Sequence, residues 1–293
     1  MNLPIVKIGL KNKEYPRLLA QIADPPKQLY CRGNLKLLNT FCLSIVGTRK
    51  LTTYGKEATE KIVLGLEDKG VTVVSGLAMG IDAIAHQTAL DNNIPTIAVL
   101  GSPVDDSGIG PRVNFPLAKE ILKNDGLLIS EYTSREEVYP VNFAIRDRII
   151  SGLSKGVLVV EGAEDSGSLI TAKSAADQNR DVFAIPRSIF SFVSVGPNEL
   201  IKIGAKLVTS TQDILQEYSN NLTLNLEPKN QISTKNQVEK QILDILNQKG
   251  ELSGDEIIHF IKTDTSQVIV AISMLEMKNK IKIKSGKYEL SHR

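Results

Sequence analysis

The sequence predicts an α/β protein with a doubly wound, mostly parallel sheet and a small second domain at the C-terminal end. Short apolar runs recur between residues 42 and 208, and the segments between them are long enough for helices that connect parallel strands. A polar, Asn-rich segment at 219–236 then separates these runs from three helical patterns and a hairpin pattern. Alternating strands and helices followed by a separate helical unit are typical of a two-domain chain.

The composition is that of a folded protein. The chain has 293 residues, a formal net charge of +2, 42% hydrophobic residues and 23% charged residues, which excludes disorder along its whole length. No apolar run reaches the about 18 residues that span a bilayer, and the N-terminus lacks a signal-peptide pattern, so we expect a cytoplasmic protein without membrane contact. Cys31 and Cys42 are expected to be reduced. The near-neutral charge argues against a protein that coats nucleic acid, but it permits a local basic pocket.

Seven apolar runs are the predicted strands of the sheet. Each is nearly continuous in its apolar character and bounded by Gly, Ser or Pro, as strands buried on both faces are. They are Cys42–Val46, Val71–Val74, Thr96–Leu100, Leu127–Ile129, Val157–Val160, Val182–Ile185 and Lys206–Val208. The first connecting segment, Lys56–Lys69, predicts an amphipathic helix with Gly70 as its C-cap.

The chain divides into four predicted segments. They are an N-terminal extension packed on the core (1–41), the sheet domain (42–218), a flexible linker (219–236) and a small domain (237–293). The linker carries five Asn and a Pro, and it shows no sustained helical or alternating pattern.

Three helical patterns followed by a hairpin pattern predict a winged helix in the small domain. The second helix starts at Ser253, where Glu256 three residues later completes a capping box. The third starts at about Thr265, and a turn at Ser285–Gly286 joins two short strands. Because the third helix has a single basic residue, at its end, contact with another protein is at least as good an interpretation as binding to duplex DNA.

Glycine and polar residues follow several predicted strands, at the sheet edge where parallel sheets bind ligands. These residues are Gly47, Thr48, Arg49, Lys50, Gly76, Gly101, Ser166, Gly167 and Ser168. Glycine lets a ligand approach the backbone, helix N-termini present N–H groups, and Arg binds phosphate through two hydrogen bonds. The sequence therefore predicts an anion site that also contains Lys173 and one of Arg146 or Arg148. Two alternatives stay open: the glycines could serve packing alone, and either Arg could pair with Asp147 or Glu161.

The sequence offers few groups for catalysis. It has three histidines, no Walker A, GxSxG, HExxH or CxxC motif, and no GxGxxG after the first strand. Asp82 and His86 stand four residues apart on a predicted helix, but two ligands alone are weak evidence for a metal, and we predict a hydrogen bond between them instead. We therefore expect a binding protein without cofactor or metal, not an enzyme.

A series of motifs runs in order from about Tyr15 to Leu215. It includes Tyr15-Pro16-Arg17-Leu18-Leu19, Gly47-Thr48-Arg49 with Tyr54-Gly55, Ser75-Gly76-Leu77-Ala78-Met79-Gly80-Ile81-Asp82, Arg148-Ile149-Ile150-Ser151-Gly152-Leu153-Ser154, Ser166-Gly167-Ser168-Leu169-Ile170-Thr171-Ala172 and Gly204-Ala205-Lys206. In content and order these motifs resemble the DNA-processing protein DprA/Smf family. Chance similarity between α/β folds does not supply so many ordered matches.

The resemblance implies an extended Rossmann-like domain that binds single-stranded DNA in a basic pocket at the strand ends. It also implies a homodimer that protects incoming DNA during transformation and helps to load the RecA recombinase. By motif, the pocket would be formed by Gly47, Thr48 and Arg49 as the first phosphate-binding segment and by Arg146, Arg148, Ser166, Gly167, Ser168 and Lys173 as its wall. Many members of the family carry a C-terminal winged helix.

Three positions depart from the family pattern. Pro103 interrupts a GxGLDxxYP stretch, Asp147 stands in place of Asn in RNR, and Arg187 stands in place of Gly in Pro-Gly-Ser. These departures leave undecided which residues line the pocket, but they do not change the predicted fold. The alternative function is that of a nucleotide-processing hydrolase on a related Rossmann-like fold, although its PGGxGTxxE signature is missing from this sequence.

Overall fold

Nine strands form one mixed sheet in the N-terminal part of the chain. They are β1 (Ile5–Gly9), β2 (Gln28–Gly33), β3 (Phe41–Val46), β4 (Val71–Ser75), β5 (Thr96–Leu100), β6 (Leu127–Ser130), β7 (Gly156–Val159), β8 (Asp181–Ala184) and β9 (Lys206–Leu207). Their order across the sheet is β1-β2-β6-β5-β4-β3-β7-β8-β9. Every neighbouring pair from β6 to β9 is parallel. The predicted doubly wound, mostly parallel sheet is confirmed.

The computed structural model describes residues 3–134, 136–218, 237–261, 265–278, 280–284 and 286–291. The chain separates into two units, Met1–Leu224 and Asn225–Arg293. The predicted linker lies outside the described residues, so its flexibility stays a prediction. None of the described helices is long and apolar enough to cross a membrane.

Seven helices of the first unit cover both faces of the sheet. They are α1 (Thr53–Leu64), α2 (Ile81–Asp91), α3 (Phe115–Lys123), α4 (Pro140–Leu153), α5 (Gly167–Asp177), α6 (Val195–Lys202) and α7 (Thr211–Leu215). Side chains alternate along β3: Cys42 and Val46 pack with apolar residues of α4 and α5, whereas Leu43 and Ile45 pack with those of α1 and α2. Both faces are therefore buried, which explains the continuous apolar runs.

The N-terminal segment adds two strands that the sequence did not reveal. β1 pairs with β2, and β2 pairs with β6, both antiparallel. β1 is an edge strand whose first three residues are exposed. Its sequence consequently lacks the apolar pattern of a buried strand.

The first helix after β3 starts and ends earlier than predicted. α1 spans Thr53–Leu64 and ends on Gly65, whose N–H bonds to the carbonyls of Lys61 and Val63. The prediction of a helix over Lys56–Lys69 capped by Gly70 was wrong at both ends. Gly70 instead adopts a positive φ of 68° in the turn directly before β4.

The second unit contains three helices and a two-stranded antiparallel sheet. They are α8 (Gln237–Lys249), α9 (Gly254–Phe260), α10 (Thr265–Met277), β10 (Ile281–Lys284) and β11 (Lys287–Leu290). The predicted capping box of Ser253 and Glu256 is confirmed. Its assignment as a winged helix stays a prediction. The exposed side chains of Ile269, Val270 and Met274 on α10 favour contact with a protein over contact with a phosphate backbone.

Phe183→Ala is expected to destabilise the sheet domain by about 3–5 kcal/mol, because Phe183 is fully buried and its removal leaves a cavity. Its ring packs edge-on against Tyr218, 6.2 Å away between centroids. Urea unfolding followed by circular dichroism measures the loss. Val113→Ala is the control: Val113 is 64% exposed, so its effect should stay below about 0.5 kcal/mol. Equal midpoints for both variants would contradict this placement of the core.

Candidate functional site

A cavity of about 500 Å³ opens at the carboxyl ends of β3 and β7. Here the strand order switches, because β4 lies on one side of β3 and β7 on the other. Open parallel sheets bind ligands at this position. Of the twelve site residues predicted from sequence, eight line the cavity: Gly47, Thr48, Arg49, Lys50, Arg146, Ser166, Gly167 and Ser168.

The loop after β3 is held in place from two sides. The Thr48 N–H donates to the Glu161 carbonyl at 2.8 Å, and the Thr48 carbonyl accepts from the Ile81 N–H at 3.2 Å. Gly80 has a φ of 83° and lies so close to the backbone of Thr48 and Arg49 that a Cβ would overlap it. This fixed loop presents Arg49 and Lys50, both exposed and without an ion-pair partner among the described residues.

The N-terminus of α5 forms another wall of the cavity. Ser166 is the N-cap, and its hydroxyl accepts from the Ser168 N–H at 3.4 Å and lies 2.8 Å from the Ser168 hydroxyl. The first turn of a helix carries N–H groups without intrahelical partners and the positive end of the helix dipole. This wall therefore suits an anion.

The deepest charge in the cavity is Arg146, which is 4% exposed. Its Nη1 donates to the Gly76 carbonyl at 2.6 Å and to the Val99 carbonyl, and its Nε donates to Asp147 Oδ1 at 3.0 Å. The alternative that one Arg pairs with Asp147 is thus what the structure shows. The Arg146 side chain is engaged in joining the ends of β4 and β5 to α4.

Two buried carboxyl groups lie beside Arg146. Burial raises the pKa of Asp147 to about 6, with Arg146 opposing and Asp82 reinforcing the shift. Burial also raises the pKa of Asp82, against the effect of Arg146. Arg146 thus lies between two carboxyl groups that burial makes harder to ionise. The exposed charged residues of the lining are Arg49, Lys50 and Asp165, so two cations face one carboxylate there.

Arg148 and Lys173 do not line the cavity. Residues two apart on a helix point about 200° apart, and Arg148 accordingly turns away from Arg146. Its Nη2 donates to both oxygens of Glu131 at 2.9 and 3.0 Å, and its Nε donates to Asp24 at 3.3 Å. Lys173 lies exposed on α5.

Gly76 and Gly101 also lie outside the cavity lining, where they serve close packing. A Cβ on Gly76 would overlap the guanidinium of Arg146, and one on Gly101 would come within 2.9 Å of the Phe143 ring. The two glycines therefore let α4 approach the ends of β4 and β5.

Asp82 and His86 do not bond to each other, so that prediction was wrong. The Asp82 carboxylate accepts from the N–H groups of Gly76 at 3.0 Å and Ala78 at 3.4 Å. His86 Nδ1 pairs with the Thr96 hydroxyl at 2.7 Å, and burial lowers the pKa of His86 to about 3. The described residues contain no cluster of three or more side chains placed to bind a metal.

One wall of the cavity was missed by the sequence analysis. It is formed by one face of α4: Pro140, Phe143, Ala144, Asp147 and Ile150. The spacing of three or four residues is that of a single helical face. The sequence carries this spacing, in the same segment as Arg146 and Arg148. Phe143 gives the cavity an aromatic surface.

The model of the family DNA recombination-mediator protein A matches residues 7–219. The chain belongs to this family. DNA processing protein DprA of Streptococcus pneumoniae is 45% identical over 204 residues, which are 70% of this chain and 71% of that protein. Protein Smf of Escherichia coli is 46% identical over 202 residues, which are 69% of this chain and 54% of that protein.

Solved structures of recombination-mediator proteins share this fold. The crystal structure of DprA from Streptococcus pneumoniae has a TM-score of 0.69 and 42% identity, covering 74% of this chain and 75% of that one. DNA processing protein A from Helicobacter pylori, whose structure concerns its single-stranded DNA binding mode, has a TM-score of 0.66 and 30% identity, covering 75% and 98%. The extended Rossmann-like fold is therefore shown.

The structure also explains how Arg187, one of the departures from the family pattern, is accommodated. Its Nη1 forms an ion pair with Oε1 of the fully buried Glu161, and its guanidinium lies 4.9 Å from the centre of the Tyr54 ring. Glu161 accepts in addition from the Thr52 N–H at 3.0 Å and the Thr52 hydroxyl at 2.5 Å. Arg187 thus neutralises a carboxylate behind the cavity.

Asp147→Asn is expected to remove a pH-dependent loss of stability. With a pKa raised from 3.8 to about 6, Asp147 holds its proton more tightly in the folded than in the unfolded chain. The free energy of unfolding therefore falls as pH rises from about 4 to about 6. Asn still accepts from Arg146, so the stability of the variant relative to wild type should grow over this range and then level off.

Urea unfolding across this pH range measures the difference. Asp177→Asn replaces an exposed carboxylate by the same amide and serves as the control. Its stability should vary with pH in parallel with that of wild type. A difference between Asp147→Asn and wild type that stays constant with pH would contradict the burial of this carboxyl group.

Proposed function

We propose that this chain binds single-stranded DNA in the cavity, through the sugar–phosphate backbone and with little dependence on base sequence. The observation that carries the proposal is the pair of exposed cations, Arg49 and Lys50, on a loop fixed at the rim of a cavity whose other wall is the N-terminus of α5. Both features bind phosphate without reading bases. DNA processing protein A of Helicobacter pylori, a relative with the same fold, is described as binding single-stranded DNA.

The shape of the cavity suits a flexible strand. Phe143 lines the same cavity as Arg49 and Lys50 and offers a ring on which a base can stack, and every base has a stacking face. In single strands the bases are free to rotate toward such a ring, whereas in a duplex they are stacked on one another. We therefore expect a preference for single strands over duplex DNA.

The hydrolase alternative receives no support from Glu161, the acidic residue that the sequence offered for it. This carboxylate is fully buried, accepts from Thr52 and pairs with Arg187, and it does not line the cavity. A carboxylate so engaged is not available to a substrate in the cavity. Binding is the function that this geometry favours.

We further propose that the protein acts in the cytoplasm in DNA processing during transformation and recombination, protects incoming strands and helps to load RecA. Membership of the DNA recombination-mediator protein A family supports this role. A mediator must hold a strand without modifying it and then release it to the recombinase. A cavity that holds the strand by its phosphates, without reading its base sequence, is suited to such a transfer.

Arg49→Ala is expected to weaken binding to single-stranded DNA at least tenfold at moderate salt and to lower the slope of log affinity against log salt by about one, because one phosphate contact is lost. Fluorescence anisotropy with a labelled dT oligonucleotide, titrated across salt, measures both. The melting temperature should barely change, since Arg49 is exposed and unpaired among the described residues.

Lys123→Ala is the matched control, since Lys123 is an exposed cation on α3 that does not line the cavity. It should retain the affinity and the salt slope of wild type. If Arg49→Ala and Lys123→Ala bind alike, the cavity is not the DNA site. Incubation with nucleoside monophosphates tests the rival function, and release of free base would favour the hydrolase.

We also propose that two copies associate, which would place two such cavities on one DNA strand. Among the described residues β9 ends the sheet with one side unpaired; Leu207 in β9 is 46% exposed, and Ile203, shortly before it in sequence, is 79% exposed. An open sheet edge with apolar neighbours is a surface that proteins usually cover. Sedimentation equilibrium is expected to give the mass of two chains for wild type and of one chain for Ile203→Glu. A monomeric wild type would contradict this assembly.

A further inference from the structure

The loop between β8 and α6 carries an apolar surface that the cavity does not include. Phe190, Ile189 and Phe192 are 94%, 81% and 73% exposed. Phe190 and Ile189 are the two most exposed large apolar side chains among the described residues. Residues 188–194, here called the aromatic loop, contain no charged residue. Apolar side chains that are exposed together on one loop mark a contact site on a folded protein.

The aromatic loop is held in a defined conformation. The Ser194 hydroxyl donates to the Ser188 carbonyl at 2.7 Å, and the Ser191 N–H donates to the same carbonyl at 3.1 Å. At the base of the loop, the Asn198 side chain donates to the Arg187 carbonyl at 3.1 Å and accepts from its N–H at 3.4 Å. These hydrogen bonds therefore fix a backbone conformation in which both Phe rings are exposed.

The aromatic loop is joined directly to a wall of the cavity. The Gly162 N–H donates to the Val193 carbonyl at 2.7 Å, and the Gly162 carbonyl accepts from the Gly196 N–H at 2.9 Å. The next residue, Ala163, lines the cavity together with the start of α5. Phe192, which precedes Val193, thus lies one residue from a backbone bond to the segment that forms the cavity wall.

A buried ion pair joins the same two segments. Arg187 at the start of the loop pairs with Glu161, and Glu161 directly precedes Gly162. An ion pair and two backbone hydrogen bonds therefore connect the aromatic loop and its flanking residues to the wall of the cavity.

We propose that the aromatic loop is a stacking platform for bases of the single strand just outside the cavity. The proposal rests on the proposed function, because the cavity must hold the backbone for bases to reach the loop. Bases of a single strand expose flat apolar faces to water, and exposed Phe rings are the surfaces on which such bases stack. Because the aromatic loop is uncharged, its contribution to affinity is independent of salt, unlike that of Arg49.

The double variant Phe190→Ala/Phe192→Ala tests the platform in the full chain. We expect it to bind a dT oligonucleotide of about 16 nucleotides about tenfold more weakly than wild type, at every salt concentration and with an unchanged salt slope. An oligonucleotide of the same length with abasic sites should bind both proteins equally, because it has no bases to stack. Fluorescence anisotropy measures all four affinities. The melting temperature and the sedimentation mass should match those of wild type.

Two further variants serve as controls. Phe190→Tyr/Phe192→Tyr keeps both rings and should restore the affinity of wild type. Val113→Ala removes an apolar side chain that is 64% exposed elsewhere on the chain and should change nothing. Wild-type affinity of the double alanine variant for dT, or an equal loss on the abasic strand, would overturn the platform. A drop in sedimentation mass with unchanged affinity would overturn it too, in favour of a protein contact.

The platform and the proposed function fail in different ways. If Arg49→Ala weakens binding and the double alanine variant does not, the cavity holds DNA and only the platform is wrong. If wild type does not bind the oligonucleotide at all, the proposed function is wrong and the platform is wrong with it.

Discussion

The buried carboxylate of Glu161 is the constraint on which the architecture around the cavity depends. Removing a carboxylate from water costs several kcal/mol, and only close partners offset that cost. The partners here come from separate segments: Thr52 at the start of α1 and Arg187 after β8. A Cβ on Gly55 would overlap the Glu161 side chain, so the first turn of α1 accepts only glycine at that position without rearrangement. Since the Glu161 carbonyl also accepts from Thr48, one residue joins three segments, of which the loop after β3 lines the cavity.

How much of the fold the sequence reveals depends on burial. β3 to β8 lie with both faces covered, and their apolar runs are therefore continuous enough to be recognised. β1 was missed because an edge strand with exposed side chains resembles a loop in its composition. β2 is an inner strand, but Gln28 and Arg32 leave it without a continuous apolar run. The early end of α1 was missed for a different reason. Gly65 and Gly70 are equally good caps locally, and the choice of Gly65 follows from its close contact with Thr211, which is distant in sequence.

The site residues also fall into two groups: those that the sequence and the sheet topology predict, and those whose position depends on tertiary packing. The segments after β3 and β7 were predicted because the topology of a parallel sheet brings strand ends together, whatever the side chains are. The sequence could not decide between Arg146 and Arg148, since the direction of each depends on the rotation of α4 about its axis. That rotation is set by Gly76 and Gly101, which accept α4 at close range. Phe143 enters the cavity by the same rotation.

The hydrogen bonds of Arg146 have a consequence for the energetics of recognition. They join the carbonyls of Gly76 and Val99 to α4 and so hold Arg146, which lines the cavity, in one position. A receptor organised in advance loses little conformational entropy on association. The entropy cost of ordering then falls on the incoming polymer, whose backbone must adopt the shape of the cavity. The selectivity of such a receptor is governed by the flexibility of its ligand as much as by its chemistry.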